Sequence, residues 1–283
     1  MENEYAFLRW IGHQEWLPYG VRNRMLRTLI KPDDIKPHEF EVDYFGMRYQ
    51  GNLNNYIDWM LYFFGAYEKQ TLMLLQDLMK NHYRSGVFLD IGANIGVHSL
   101  FMSRHAASVH SFEPYELVRN SLEKNIALNQ ISNITVHPVG LGNSTEELQY
   151  FAPTGFNRGT GSFVESHEIQ NNRALHKLRV EAADAYLAAM GVHNVDVMKI
   201  DVEGFERFVL AGMKATLESA RPVIFMEYSS STRKSLESVA DLMSLLPDGY
   251  GIRKFNSTSN SYWLSEFNFD ETDVDIILAP VRP

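Results

Sequence analysis

No cysteine occurs among the 283 residues. That absence excludes disulfides, thiolate metal sites and a cysteine nucleophile, and it fits a reducing compartment. No apolar run is long enough to cross a bilayer. The most hydrophobic stretch, Trp59 to Tyr67, falls far short of the roughly 20 residues that a spanning helix needs. The opening Met1-Glu-Asn-Glu4 lacks the basic start and apolar segment of a signal peptide. Together these absences predict a soluble, cytoplasmic protein with no membrane span. Charge of one sign is never concentrated in a long run, and the net charge is −9. A nucleic-acid binder carries a basic face, so no nucleic-acid partner is expected. Arg22, Arg24, Arg27 and Lys31 lie close together but read as the solvated face of a helix. The ten histidines form no pair at metal-ligand spacing. His98 alone stands near a motif, on the first turn after Gly96.

What is present is an ordinary folded composition. Hydrophobic residues make up 45% and charged residues 22%, which argues against disorder. The length allows one large α/β domain with an extension. Residues 1–84 predict a cap. They hold a short amphipathic helix from Val21 to Ile30, a hairpin within Phe40 to Leu53, a buried aromatic stretch from Tyr56 to Phe64, and a helix from Glu68 to Tyr83. The aromatic stretch reads as core rather than as a dimer face, although a homo-oligomer stays open. From residue 85 to 283 strands and helices alternate. Strands are expected at Val87–Ile91, Ser108–Phe112, Ile134–Val139, Val195–Ile200, Pro222–Tyr228, Tyr250–Phe255 and Val274–Leu278. Helices are expected at Ile95–Arg104, Glu116–Asn129, Phe205–Leu217 and Ser231–Leu246. Two further strands, Glu147–Phe151 and Lys177–Glu181, flank a loop from Ala152 to Ser162 that reads as a lid or as a surface hairpin. This rhythm predicts an α/β fold with a mostly parallel central sheet flanked by helices.

The chemistry concentrates at strand ends. Asp90-Ile-Gly-Ala-Asn-Ile-Gly96 closes a strand and opens a helix, and ligands of open α/β sheets bind outside the carboxyl ends of strands. Gly92 allows a tight turn and close approach of a ligand. Asn94 reads as the N-cap of the next helix, and Gly96 lets that helix pack closely. The helix start suits a carboxylate, and Asp90 suits an ammonium group. Glu113, at the end of the next strand, suits both hydroxyls of a ribose. A nicotinamide enzyme would need further glycines where Asn94 and Val97 stand, so a dinucleotide is the weaker reading. A nucleoside bearing an amino acid, S-adenosylmethionine (SAM), is the stronger one. Asp201 and Glu203, in Met198-Lys-Ile-Asp-Val-Glu-Gly-Phe-Glu206, should face the reactive end of such a cofactor, with Glu227 on the following strand. A carboxylate there can act as a base, or two can hold Mg²⁺. Asp201 and Glu203 can also be read as caps of the helix after them. Lys199 reads as an ion-pair partner.

These residues resemble the FkbM family of SAM-dependent methyltransferases. The matching segments are Phe88-Leu-Asp-Ile-Gly-Ala-Asn-Ile-Gly96, Phe112-Glu-Pro114, Asn125-Ile-Ala-Leu-Asn129, Val139-Gly-Leu-Gly142, Gly161-Ser-Phe163, Val197-Met-Lys-Ile-Asp-Val-Glu-Gly-Phe-Glu206, Val209-Leu-Ala-Gly212 and Arg221-Pro-Val-Ile-Phe-Met-Glu227. They span roughly residues 66–228. The resemblance implies a Rossmann-like class I methyltransferase sheet, usually of seven strands with one antiparallel near the end. It implies O-methylation of a sugar, a glycan or a natural-product small molecule. By position, Asp90, Gly92, Asn94, Gly96 and Glu113 would bind SAM, with Glu68 and Gly140 nearby. Asp201, Glu203 and Glu227 would line the methyl-transfer site. A non-catalytic binding module and an NAD-dependent oxidoreductase remain the competing readings.

Overall fold

The computed structural model describes residues 5–14, 16–30, 37–80, 86–153, 161–164 and 173–281. The cap comprises α1 (Ala6–Gly12), α2 (Tyr19–Leu29), β1 (Glu39–Tyr44), β2 (Met47–Asn52), α3 (Tyr56–Phe64) and α4 (Lys69–Met79). The alternating part follows with β3 (Val87–Ile91), α5 (Val97–Met102), β4 (Ser108–Phe112), α6 (Glu116–Leu128), β5 (Ile134–His137) and β6 (Gly140–Gly142). Then come β7 (Glu146–Ala152), β8 (Arg173–Ala182), α7 (Ala183–Ala189), β9 (Val195–Ile200), α8 (Glu206–Gly212) and α9 (Lys214–Ala220). The chain closes with β10 (Val223–Tyr228), α10 (Ser230–Lys234), α11 (Val239–Met243), β11 (Tyr250–Ser257), β12 (Tyr262–Ser265) and β13 (Val274–Pro280).

The main sheet has eight strands in the order β12-β11-β13-β10-β9-β3-β4-β5. Strands β10, β9, β3, β4 and β5 pair in parallel, while β13 runs antiparallel to both β10 and β11. The seven strands implied by the resemblance become eight because β12 folds back on the free edge of β11. A smaller sheet, β6-β8-β7, lies apart from the main one. Two expected helices are each split. Phe205–Leu217 breaks at Met213, after Gly212 meets the backbone of Gly142 so closely that a Cβ would stand 2.0 Å from its carbonyl oxygen. Ser231–Leu246 breaks because Ser238 caps a new helix, accepting from the N–H of Asp241. Residues 154–160 of the 152–162 loop, Lys31 of the basic patch and the end of the expected 68–83 helix fall outside the described residues. No described helix is long and apolar enough to cross a membrane.

Side chains alternate across the sheet, so each face has its own core. Leu89, Ile91, Met198, Ile200, Ile224, Met226, Ile276 and Leu278 enter one cluster, shared with α7, α8 and α9. Phe88, Val197, Phe225 and Ile277 enter the other, which the cap covers with Trp59, Phe63, Leu72 and Leu75. α3 is fixed at both ends. Asn55 accepts from the N–H of Ile57 at its start, and Gly65 takes φ +80° at its end. By the same alternation Asp90, Lys199, Glu227 and Asp275 belong to the cap-covered face. Asp90 is the register partner of Lys199, and Glu227 of Asp275. A stepped row of charge therefore crosses β3, β9, β10 and β13 beneath the cap, since Lys199 pairs with Phe225 and Glu227 lies two residues further on.

Candidate active site

The turn after β3 is shaped by contacts rather than by a simple helix cap. Gly92 has φ +84°, and a Cβ there would stand 1.9 Å from the Asp201 carbonyl oxygen. The N–H of Gly92 and that of Ala93 both donate to the Phe112 carbonyl, at 3.0 and 3.1 Å. Asn94 does not cap α5, contrary to its reading from sequence. It adopts φ +52° and its N–H donates to Glu113 Oε2 at 2.9 Å. The capping position falls to Gly96, at φ +86°, where a Cβ would collide with Leu122. Asn94 is half-buried, and its buried Oδ1 has no partner among the described residues.

Asp90 is fully buried. Its Oδ2 accepts from the Ser99 hydroxyl at 2.5 Å, and its Oδ1 has no partner. Glu113 is buried as well and accepts the N–H groups of Asn94 and Tyr115, the latter at 2.8 Å. Burial pushes its carboxyl up to about 7, although these two hydrogen bonds and Arg119 oppose the shift. Each carboxylate oxygen can accept two hydrogen bonds, so capacity for hydroxyl donors remains.

The second half of the site follows β9. Lys199 is buried and its ammonium donates to Asp201 Oδ2 at 2.7 Å, the ion pair expected of it. Burial works against its charge, but Asp201, Asp90 and Glu68 outweigh burial and hold its pKa above the ordinary lysine value. The helix cap read for Asp201 or Glu203 is not made: Phe205 stands at the start of α8 with no side-chain cap, and Glu206 ties down the loop before it. Glu206 Oε1 accepts the N–H groups of Val202 and Gly204, each at 3.1 Å, and Oε2 accepts the Thr232 hydroxyl at 2.8 Å. Glu203 takes φ +53°, and its carbonyl accepts from the Ser162 hydroxyl at 2.7 Å. Oxygens of Asp201, Glu203 and Glu227 lie within 4.8 Å of one another. Burial, reinforced by the Asp201 charge, drives the pKa of Glu203 and of Glu227 upward.

One pocket brings most of the expected residues together. Gly92, Asn94, Glu113 and Gly140 line one side of it, and Asp201 and Glu203 another. Phe112, Tyr150 and Phe163 supply apolar walls, with Lys199 and His98 deeper in. Asp90 and Glu227 do not line this pocket, though Asp90 pairs with Lys199 in register and Glu227 lies within reach of Asp201 and Glu203. Gly96 serves packing. Glu68 faces a neighbouring pocket, with its Oε2 3.3 Å from His98 Nε2. Two contributors escape sequence reasoning. Tyr67 borders both pockets. Asp275 lies beside Glu227, and burial together with Glu68 and Asp201 pushes its carboxyl up to about 8. The available signal for Asp275 is an acid interrupting the apolar run Val274-Asp-Ile-Ile-Leu278.

Residues 90–254 match the model of the methyltransferase FkbM domain. The methyltransferase sdnD of Sordaria araneosa is 30% identical over 156 residues, which cover 44% of this chain and 59% of that protein. The hexuronic acid methyltransferase AglP of Haloferax volcanii is 28% identical over 149 residues, 52% of this chain and 58% of that one. The chain thus spans less than two thirds of these relatives' length. A crystal structure of a methyltransferase FkbM from Methylobacillus flagellatus KT superposes with a TM-score of 0.44 and 19% identity, covering 69% of this chain and 44% of the other.

Proposed function

Because the chain belongs to the FkbM methyltransferase family, we propose that it is an O-methyltransferase that uses SAM to methylate a hydroxyl of a sugar, a glycan or a natural-product small molecule. One observation carries this reading. Among the described residues, one buried ammonium, that of Lys199, pairs with Asp201 and feels the charges of Asp90, Glu68, Glu203 and Asp275, while Glu227 lies within reach of Asp201 and Glu203. Acids crowded in a site of low polarity move toward neutrality unless a cation relieves them. A ligand carrying a sulfonium and an ammonium meets that need. The two phosphates of a dinucleotide would add charge of the wrong sign.

The residues divide the work. The orphaned acceptors Asp90 Oδ1 and Asn94 Oδ1 suit the ammonium end of the cofactor. Glu113 holds ribose hydroxyls with its spare lone pairs. Gly92 and Gly140 line the pocket, their missing Cβ atoms allowing the Asp201 carbonyl and the Phe163 ring to close up against the backbone. SAM, when bound, supplies an electrophilic methyl on positively charged sulfur. Asp201 accepts the proton of the attacking hydroxyl, and Lys199 fixes the Asp201 carboxylate in place. Phe112, Tyr150 and Phe163 keep water from the reacting atoms.

A metal-assisted form of the same reaction is the second reading. It is favoured by the mutual reach of Asp201, Glu203 and Glu227 and by the unpartnered, buried Glu227 Oε2. Mg²⁺ held by these three would offset most of their charge and acidify a nearby hydroxyl. Methylation assayed with a chelator separates the two forms. Loss of activity restored by Mg²⁺ selects the metal, and an unchanged rate selects Asp201 alone.

Calorimetry tests the cofactor itself. SAM and its demethylated product are expected to bind and NAD is not; NAD binding without SAM binding would overturn the proposal. Labelled SAM offered with activated sugars, glycolipids and other hydroxylated acceptors then identifies the product.

A further inference from the structure

A second cleft, of about 550 Å³, opens on the other side of Tyr67. Its size suits a small organic ligand. The cap supplies Tyr19, Tyr56 and Phe64 to its walls, and the β11–β12 hairpin supplies Phe255 and Asn260. Glu68 and Asp275 line it where it approaches the sheet. Both acids act electrostatically on Lys199, and Asp275 also on Asp201, so the inner end of the cleft lies against the proposed methyl-transfer site.

The chemistry of the walls is mixed in a definite way. Aromatic rings come from both the cap and the hairpin. Polar groups stand between them. Arg22 donates to the Gly12 carbonyl at 2.5 Å and lies over the Phe64 ring. Among the described residues no hydrogen bond reaches the Asp275 carboxyl. A purely apolar ligand would cover that carboxyl and leave it unpaired, at a cost of about 1–3 kcal/mol. A sugar ring offers what this lining asks for: C–H faces for aromatic rings and hydroxyl edges for carboxyl, amide and guanidinium groups.

We propose that this cleft is the acceptor site and that it takes a pyranose unit, packed between the cap aromatics and Phe255, hydrogen-bonded by Asp275, Arg22 and Asn260, with one hydroxyl presented past Tyr67 to Asp201. The proposal rests on the methyltransferase reading above. In the step it serves, the hydroxyl oxygen forms a bond to the methyl carbon as the carbon–sulfur bond of SAM breaks. The bond's electron pair stays on sulfur, which becomes a neutral thioether, and the hydroxyl proton passes to Asp201. Asp275 and Arg22 position the ring and take no part in that exchange.

Saturation-transfer NMR with methyl α-glucopyranoside, methyl α-mannopyranoside and methyl glucuronide, on the whole chain saturated with demethylated SAM, tests the site without relying on turnover. At least one glycoside should show transfer to its ring C–H protons. Ser257→Trp, at an exposed position on the rim, should abolish that signal. Asn260→Ala should weaken binding about tenfold, the loss expected for one good hydrogen bond. Calorimetric affinity for SAM should stay within about twofold in both variants. If the wild type binds SAM but none of the glycosides, or binds a glycoside equally well in both variants, the acceptor assignment is wrong and the cofactor reading survives. If SAM itself does not bind, the cofactor reading is what fails.

Discussion

Burial holds the Glu113 carboxyl at about 7 although it already accepts two backbone N–H groups. Ribose hydroxyls donate better to a carboxylate than to a carboxylic acid, so binding should favour ionisation and release a proton. SAM affinity should therefore rise as pH increases through about 7, and Glu113→Gln should flatten that dependence; calorimetry from pH 6 to 8.5 measures both. Asp201 carries a different expectation. Asp201→Asn keeps a hydrogen-bond acceptor for Lys199 but removes the base, so kcat should fall about 10²–10⁴-fold with SAM affinity little changed. An unchanged kcat would move the base elsewhere. Residue-scale legibility follows from the same chemistry. Gly92, Glu113 and Asp201 stand at strand ends where sequence spacing locates them. Asp275 stands inside a strand some fifty residues from any motif, and only sheet register brings it beside Glu227.

The segment between β9 and α8 is held by a side chain that belongs to the helix. Glu206 satisfies two N–H groups of the loop and one hydroxyl at the start of α10. Glu206→Ala would leave those donors without partners in a buried place, and a loss of about 3–5 kcal/mol in unfolding free energy is expected. Denaturant titration measures it. The motif hides this role because Asp201 and Glu203 read as caps of the helix, whereas the backbone path leaves the helix uncapped by side chains and turns Glu206 back onto the loop. The split helices have similar causes. Ser238 was readable as an N-cap, with Asp241 three residues on. The break after Gly212 was not, since it depends on contact with Gly142, seventy residues earlier.

Across the whole molecule, the strand sequence and the parallel centre of the sheet follow from alternating apolar runs. The order of the strands does not, and neither does the cap's position over one face. That position buries the row of charge from Asp90 to Asp275, and it has a consequence for stability. The folded values of Glu113 and Asp275, about 7 and about 8, lie above their ordinary 4.5 and 3.8. Acids raised in this way contribute stability that is complete below about pH 4 and is lost as pH rises through the folded values. The ligand-free protein should therefore melt on the order of 5–10 °C lower at pH 9 than at pH 6. Saturating SAM should reduce that slope by favouring the ionised forms. Scanning calorimetry with and without ligand checks both.

The contact between Gly92 and Asp201 reaches beyond any one assay. The turn proposed to hold the donor and the loop that carries the proposed base touch backbone to backbone, and the N–H of Asp201 donates to the Ile91 carbonyl at 3.0 Å. Neither can be re-tailored alone. A chimera that imported one segment without its counterpart would join two surfaces never fitted to each other. The cap meets the same turn through side chains: Ala93 and Ile95 share a core cluster with Trp59 and Phe63, and the Tyr44 hydroxyl donates to the Val97 carbonyl at 2.9 Å. Cap side chains can be redesigned in packed sets, while the inner pair has to be moved as one unit.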